Sequence, residues 1–343
     1  MAKRIPEKDI RDFIFDNIEA HPSGLAKMVS ERFGITRQAV NYRIKKMVEE
    51  GLVIASGTTK NKNYSLRPIV QREFSVEISS GVQEHKVWRD LIEPLTKDLR
   101  KNVIDICSYG FTEMFNNVID HSEAKNAHIW FTRLPTKIRI IIADDGIGIF
   151  NKIVRDLGLE DHKHAILELS KGKLTTDPKH HTGEGIFFTS RTFDSFAILS
   201  GKLIFHRFEG RDWLVEDRDL NIIKGNTIIV MEINPNSEKE LKEVFNQFST
   251  DEDYVFTKTI VPISLVKYGE ENLVSRSQAK RLMAGLDRFK EVILDFKGIT
   301  FIGPPFADEI FRVFKNEHPT IRLSPINTAD DVKKMIERAN QNI

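Results

Sequence analysis

The sequence predicts an α/β protein with an α+β multidomain organisation. Its expected parts are a small helical domain with a two-stranded hairpin, an α/β sandwich with a mixed sheet, and a small α/β domain. In the first 70 residues, three apolar segments at helical spacing precede a short hairpin. A long helix, a β-branched strand and two glycine-spaced turns follow, and beyond residue 255 strands alternate with helices. A length of 343 residues suits three domains, which we expect at 1–70, 71–240 and 255–343.

The composition gives no argument for a nucleic-acid or membrane partner. Lys and Arg number 51 and Asp and Glu number 50, so any basic site must be local. The single cysteine, Cys107, excludes an internal disulfide framework and, in its apolar helical setting, is expected to be a packed thiol. No uncharged stretch reaches the roughly 18 residues that span a bilayer. We therefore expect a soluble, cytoplasmic protein with no membrane partner.

The first domain has a helix-turn-helix pattern. Apolar residues recur at helical spacing from Glu7 to Ala20 and again from Leu25 to Phe33. The turn Gly34-Ile35-Thr36 ends in a good N-cap, and the next helix runs to Gly51. Two short strands, Leu52 to Ala55 and Tyr64 to Leu66, then form a wing around a polar tip.

The outer face of the third helix carries side chains suited to DNA. The stretch FGITRQAVNYRIKKMVEEGLV resembles the winged-helix domains of bacterial transcription regulators, and residues 1–70 hold 13 Lys and Arg against 8 Asp and Glu. The alternative is a winged helix used for protein contacts or dimerisation. The residues expected to reach base edges and phosphates are Arg37, Gln38, Asn41, Tyr42 and Lys45.

The central domain opens with a helix over 102–121 that carries Glu113, Asn117, Asp120 and His121 on one face. By themselves these four residues fit a solvated face.

Two glycine-rich motifs follow that helix. The apolar strand Ile138 to Ala143 delivers Asp144-Asp145-Gly146-Ile147-Gly148 at its end. Further along, Thr182-Gly183-Glu184-Gly185-Ile186 opens a helical run whose first amides could hold phosphates. Either motif alone is weak evidence.

In their order, these motifs match the N, G1 and G2 boxes of the GHKL (Bergerat) superfamily of ATP-binding proteins. Glu-x-x-x-Asn lies on the helix, Asp-x-Gly-x-Gly follows the strand, and Gly-x-Gly precedes the next helix. The match extends to Thr227, which opens the strand Ile228 to Ile233. The phosphate-box stretch TGEGIFFTSRTFD most resembles the anti-sigma serine kinases. The resemblance implies ATP and Mg²⁺ as cofactors.

The resemblance also implies a role for each residue. Glu113 would be the catalytic carboxylate, which orients the attacking water or hydroxyl. Asn117 would be the Mg²⁺ ligand. Asp144, helped by Thr227, would accept the adenine amino group. The implied cofactor-binding residues are Asn117, Asp120, His121, Asp144, Gly146, Gly148, Thr182, Gly183, Glu184, Gly185, Ile186 and Thr227. Phe150 to His181 would form the ATP lid, a mobile, solvated loop rich in Lys and His.

The last domain alternates strands and helices. Strands are expected at Thr259 to Leu265, Glu291 to Phe296 and Ile321 to Pro325, and helices at Ser275 to Phe289, Phe306 to Asn316 and Thr328 to Ala339.

The stretch ILDFKGITFIGPPFADEIFRVF resembles STAS-like domains, which are regulatory or interaction modules. In STAS anti-sigma antagonists a phosphorylated serine follows the Leu-Asp-Phe strand, whereas here Pro304 stands in its place. Phosphorylation in cis at that position is therefore excluded.

These predictions are compatible with three alternative functions. The leading one is an ATP-binding and hydrolysing bacterial regulator that couples a GHKL switch to a winged helix and a STAS-like module. The second is a serine or threonine kinase of the anti-sigma type acting on a separate protein. The third is a non-catalytic scaffold stabilised by nucleotide. Expected partners are double-stranded DNA at the winged helix, a protein at the STAS-like domain, and a second copy in a homodimer.

Overall fold

The fold is taken from a computed structural model. It describes residues 6–58, 62–174, 183–216, 226–249, 255–267 and 271–341.

The N-terminal domain is a helix-turn-helix with a wing, as the sequence predicts. The third helix begins where the Thr36 hydroxyl accepts the Ala39 N–H at 3.2 Å. Its inner residues Val40 and Ile44 are buried against the first two helices, and the two strands pair antiparallel. The elements are α1 (Glu7–Asn17), α2 (Leu25–Phe33), α3 (Arg37–Glu49), β1 (Val53–Ser56) and β2 (Asn63–Leu66).

A seven-stranded sheet forms the centre of the described chain. Its strands are β3 (Val70–Glu77), β4 (Asn126–Arg133), β5 (Ile138–Asp144), β6 (Ser195–Ser200), β7 (Leu203–Phe208), β8 (Arg211–Glu216) and β9 (Thr227–Ile233). They lie in the order β3-β4-β5-β9-β6-β7-β8.

The prediction of a mixed sheet here is wrong, because every pairing in this sheet is antiparallel. The strands β5 and β6 are parallel to each other, as their helical connection predicts. The last strand, β9, inserts between them, so they never pair. Such an insertion of a distant strand is a tertiary event that the order of elements along the chain does not reveal.

Helices cover one face of this sheet, which we call the inner face. The helices of this part of the chain are α4 (Glu84–Val87), α5 (Lys101–His121), α6 (Ile149–Leu157), α7 (His162–Lys171), α8 (Gly185–Thr192) and α9 (Leu241–Asn246). The long helix α5 and the helix α8 contact strands β5, β9 and β6. Cys107 on α5 is fully buried, and burial raises the pKa of its thiol to about 12, so it is a packed thiol as expected.

Two segments contain helices or strands that the sequence did not predict. The strand β3 precedes the helix with which the central domain was expected to open, and its polar residues Gln71, Glu73 and Ser75 gave no strand pattern, because an edge strand needs few apolar residues. The predicted lid loop contains α6 and α7, and α7 is buried from Ala165 to Lys171. Residues 175–181 of that lid lie outside the described residues.

The C-terminal part is a small α/β layer with a three-stranded parallel sheet in the order β10-β11-β12. The helix predicted to reach Phe289 ends earlier, because Gly285 adopts a left-handed φ of 68° and a 3₁₀ turn follows. Its elements are β10 (Lys258–Pro262), α10 (Arg276–Met283), β11 (Glu291–Asp295), α11 (Pro304–Asp308), α12 (Lys315–Glu317), β12 (Arg322–Ile326) and α13 (Asp330–Gln341).

The end of α7 is held by the C-terminal layer. The Lys171 ammonium is fully buried and donates to the carbonyls of Arg281 and Ala284, at 3.2 and 2.9 Å. It pairs with Glu168 at 2.5 Å, and the Thr259 hydroxyl donates to the Lys171 carbonyl at 2.6 Å. A buried ammonium with this many partners fixes the position of α7 against the last domain.

The described helices include none that combines the length and the apolar character needed to cross a bilayer.

Candidate functional site

A cavity of about 330 Å³ lies between the inner face of the sheet and the helices α5, α6 and α8. It brings together residues that are up to 116 positions apart in the sequence, from Glu113 to Ile229. The predicted site residues that line it are Glu113, Asn117, His121, Asp144, Gly148, Gly183, Glu184, Gly185, Ile186 and Thr227.

Three predicted residues are not among the lining residues of this cavity. Asp120 is on the same helix but exposed to solvent. Gly146 stands behind the cavity, where its N–H donates to Asp144 Oδ1 at 2.9 Å. Thr182 lies outside the described residues.

Asp144 forms the polar end of the cavity. It ends β5, is only 5% exposed and pairs across the sheet with Thr227 on β9. Burial raises the pKa of its carboxyl to about 6, and hydrogen bonds from Gly146 and Thr227 oppose that rise. The Thr227 hydroxyl also accepts the Ile149 N–H at 3.0 Å, which ties the start of α6 to β9. A buried hydrogen-bond acceptor is thus held rigidly at one end of an otherwise largely apolar wall.

The two glycines after Asp144 permit the close packing of this corner. A Cβ on Gly146 would overlap the Ser122 carbonyl oxygen, and Gly148 has a left-handed φ of 85°. Both positions therefore require glycine for a local reason, independent of any ligand.

Helix α5 contributes the opposite wall. Glu113, Asn117 and His121 are spaced by four residues, so they follow one another along the cavity. Burial raises the pKa of Tyr109, one turn before Glu113, and the nearby carboxylates of Glu113 and Glu184 add to the rise. The cavity therefore has negative charge at its helical wall as well as at Asp144.

The start of α8 closes on Glu113. A Cβ on Gly185 would overlap the Glu113 Oε2 atom, so any larger residue at this position would displace that carboxylate. Gly183 has a left-handed φ of 69°, and its carbonyl accepts the Leu174 N–H at 3.1 Å. The first N–H groups of a helix have no partner within it, so the start of α8 presents donors beside the cavity.

The sequence did not predict several of the residues that line the cavity. Lys152 lines the cavity and pairs with Asp156 at 2.8 Å. Lys152 lies four residues after Gly148, and this spacing could have pointed to it, but the stretch was predicted to be the lid loop. Leu174, Leu169 and Ile153 were missed because only the packing of the lid helices shows which apolar side chains face the cavity.

The described residues contain no cluster of three or more His, Cys, Asp or Glu side chains arranged to hold a metal ion. Any cation here would need ligands beyond protein carboxylates, and the Asn117 side chain is one amide oxygen on the wall.

The outer face of α3 is a second candidate surface. The predicted residues Arg37, Gln38, Asn41, Tyr42 and Lys45 are all exposed. Tyr42 is 71% exposed, which is unusual for an aromatic ring with nothing to cover it.

The comparisons match the two ends of the chain. The family model described as winged helix-turn-helix DNA-binding matches residues 29–54. The model of a STAS-like domain of unknown function matches residues 278–333. No family model of GHKL ATPases matches the chain. No curated protein matches it.

These matches define the class. The chain combines a winged helix, of the kind that binds DNA, with a STAS-like domain, and this combination indicates a regulatory protein. The segment between them, with its antiparallel sheet and cavity, is not covered by either match.

Proposed function

We propose that the protein is an ATP-binding regulator, in which the cavity holds ATP and Mg²⁺ and couples nucleotide state to the winged helix and the STAS-like domain. The observation that carries the proposal is the cavity itself. It has a buried carboxylate acceptor at one end, the N-terminus of a helix at the other, and the three GHKL-like motifs around it. The domain limits 1–70, 71–240 and 255–343 are part of the same proposal.

The chemistry of the residues fits an adenine nucleotide. Asp144 is an acceptor for the exocyclic amino group, and apolar neighbours such as Ile153 and Ile229 suit the base. At the other end, the amides that begin α8 suit phosphate oxygens, with Gly183 and Gly185 leaving room for them.

In this proposal the wall of α5 carries the reactive groups. Mg²⁺, when bound, neutralises phosphate charge, and the Asn117 oxygen would hold it together with phosphate and water oxygens. Glu113 would accept a hydrogen bond from the attacking water and orient it. Its position beside the start of α8 puts that carboxylate next to the phosphate end.

The contacts of the lid with the last domain support a regulatory use of the nucleotide. Only two residues separate Lys171, clamped by the STAS-like domain, from Leu174, which lines the cavity. Arg288 donates to the Lys173 carbonyl at 2.7 Å, and Lys173 donates back to the Arg288 carbonyl at 3.2 Å. A change in the lid on ATP binding would therefore move groups that hold α10 and Arg288.

The winged helix is also joined to the sheet. Leu134, in the turn between β4 and β5, packs in the winged-helix core, and Lys137 pairs with Glu19 at 2.8 Å. The strand β5 that begins after this turn ends at Asp144, so one strand connects the DNA-binding domain to the cavity.

Hydrogen–deuterium exchange of the full chain tests the coupling. With ATP and Mg²⁺ we expect slower exchange at the start of α8, where nucleotide binds, and also in α7 and α10. Lys171→Met keeps the aliphatic stem but removes the ion pair with Glu168 and both hydrogen bonds to the carbonyls of Arg281 and Ala284, at the end of α10. It should therefore retain slowing at α8 and lose it in α10. Lys334→Met, on the exposed face of α13, is the control and should behave as the unaltered chain.

The outcomes separate the two parts of this proposal. Slower exchange at α8 alone in the unaltered chain would reject the coupling and keep the nucleotide site. No change anywhere, together with no heat of ATP binding in calorimetry, would reject the nucleotide site itself.

DNA binding through α3 gives a separate prediction. Lys45→Ala should weaken binding to mixed-sequence duplex DNA a few-fold and lower the slope of log affinity against log salt by about one, because one phosphate contact is lost. Fluorescence anisotropy over a salt series measures both quantities. Lys27→Ala is a matched control, because Lys27 and Lys45 are both exposed and each pairs with a glutamate four residues later. Equal effects of the two substitutions would rule out α3 as the DNA-contacting face.

A further inference from the structure

The face of the central sheet opposite the cavity, which we call the outer face, is apolar but not fully buried. On the three central strands its apolar residues are Ile141, Ala143, Ile228, Val230, Ala197 and Leu199, all partly exposed to solvent. At the end nearest the winged helix the same face carries Ser195 and the ion pair of Arg139 with Glu232, and Arg139 also lies 3.8 Å from Glu19 of the winged helix. The strand register joins them into two rows. One runs Ile141, Val230, Ala197, and the other Ala143, Ile228, Leu199.

The same rows continue to both sides. Trp130 on β4 pairs with Ile141, and Ile204 on β7 pairs with Leu199. At the β8 edge, Trp213 and Val215 are 50% and 48% exposed. The apolar surface thus crosses six of the seven strands, from β4 to β8.

A sheet with one solvated face would alternate apolar and polar residues along its strands. Here the residues between those of the outer face, such as Ile140, Ile229 and Ile198, are buried beneath the helices. Apart from the Arg139–Glu232 ion pair at one end, strands β5 and β9 are therefore apolar on both faces, a pattern typical of sheets that are covered on both sides. Contiguous apolar patches larger than a few hundred Å² mark interaction surfaces.

The size of the outer face suits a second copy of the chain. Seven strands about 4.8 Å apart, each contributing about 20 Å of length, make a face of roughly 650 Å². Two such faces together bury roughly 1,300 Å², which lies within the range of about 1,200–2,000 Å² for stable interfaces.

The charges at the two edges are complementary. The outer face carries Glu73 on the β3 edge and Arg211 on the β8 edge, and both are exposed. A two-fold axis along the central strand β9 would lay each β3 edge over the β8 edge of the other copy. Glu73 of one copy would then approach Arg211 of the other, at both ends of the interface.

We propose that two copies of this protein associate through the outer face to form a two-fold symmetric dimer with two sheets packed face to face. The cavity lies on the inner side of the sheet, so both cavities stay open to solvent in this dimer. The dimer would also hold two winged helices in one assembly, and a pair of recognition helices suits DNA sites with two-fold symmetry.

Sedimentation velocity of the full chain over a concentration series tests the proposal. We expect the unaltered chain to sediment as two copies. Val230→Lys places a charge at the centre of the interface and should weaken self-association at least 100-fold. Trp213→Ser with Val215→Ser should weaken it about 10-fold, and these side chains are exposed enough for the chain to fold without them. Phe301→Ser, which removes a 44% exposed ring from the C-terminal domain, is the control and should leave self-association unchanged.

Tryptophan emission gives a second readout. Two of the three tryptophans, Trp130 and Trp213, lie on the outer face, and Trp88 is buried. Dilution through the dissociation range should shift the emission to longer wavelength. The proposal is overturned if the unaltered chain sediments as one copy at every concentration, if it forms assemblies that do not stop at two, or if Phe301→Ser acts like the Trp213 and Val215 pair. If Val230→Lys does not fold, the self-association of the chain with Trp213→Ser and Val215→Ser decides whether the outer face is the interface.

Discussion

Replacing Asp144 with asparagine is expected to weaken ATP binding by roughly 100- to 1,000-fold, or about 3–4 kcal/mol. Asparagine has nearly the same shape, but it lacks the charge and presents an N–H group where the amino group of adenine needs an acceptor. Because Asp144 is only 5% exposed, water cannot take over the lost hydrogen bond. Titration calorimetry with ATP and Mg²⁺ measures the change.

The neighbouring residue supplies a matched control. Asp145→Asn removes one charge at the next position, but the Asp145 carboxylate is exposed and accepts from the N–H groups of Lys125 and Asn126, away from the cavity. Affinity should change less than about 3-fold there, within the size of a surface charge effect. If both substitutions weakened binding equally, Asp144 would have no specific contact with the base.

The raised pKa of Asp144 adds a pH dependence to the same test. Affinity for ATP should fall as the pH drops below about 6, because the protonated carboxyl is a poorer acceptor. The folded-state pKa lies above the ordinary value of 3.8, so this carboxyl contributes folding stability that is present at low pH and lost as the pH rises through about 6. Affinity and this part of the stability should therefore move in opposite directions. Both pH trends should be absent in the Asp144→Asn chain and present in the Asp145→Asn chain.

Replacing Glu113 with glutamine is expected to lower ATP hydrolysis by roughly 100- to 10,000-fold, the range for loss of a general base. Binding of ATP should change little, because glutamine keeps the shape of the wall beside Gly185. Release of phosphate measured at saturating ATP gives the rate, and calorimetry gives the affinity. The combination of retained binding and lost turnover is the result expected of a group that acts on the attacking water.

Asp105→Asn is the control for this second prediction. It makes the same kind of change on the same helix, two turns before Glu113, at a partly exposed residue that does not line the cavity. Its turnover should equal that of the unaltered chain. Unchanged hydrolysis in Glu113→Gln would show that another group orients the water. Label from ATP appearing on an added protein, instead of as free phosphate, would favour the kinase over the ATPase.

The sequence was sufficient for local structure and for the order of the motifs. Helix α5 could be predicted because its apolar residues repeat at helical spacing, and β5 because a β-branched run ends at Asp144. The winged helix was equally clear, since Thr36 caps α3 and Gly51 follows its end. Each of these depends on neighbours within a few residues, so spacing along the chain is enough to detect them.

The shape of the cavity depends on contacts that spacing does not encode. Asp120 shares a helix face with Asn117 in the sequence, yet only packing against α6 and α8 shows that the wall continues to His121 and leaves Asp120 in solvent. Lys152 and Leu174 line the cavity because the lid segment contains the helices α6 and α7, which the sequence did not predict. The sequence alone could not predict that the lid forms helices. Lys171 looks like an exposed charge in the sequence, and the carbonyl groups that bind its ammonium lie more than 100 residues further along the chain.

By itself, then, the sequence determined the helix-turn-helix, the helix α5, the strand β5 and about half of the cavity-lining residues, because these follow from local periodicity, capping and glycine geometry. Tertiary structure alone decided that β9 enters between β5 and β6, that the lid docks on the C-terminal layer, and that the sheet has a second apolar face. All three depend on pairing between residues far apart in the chain. Their free energy comes from burial and hydrogen bonds that exist only after the chain has folded.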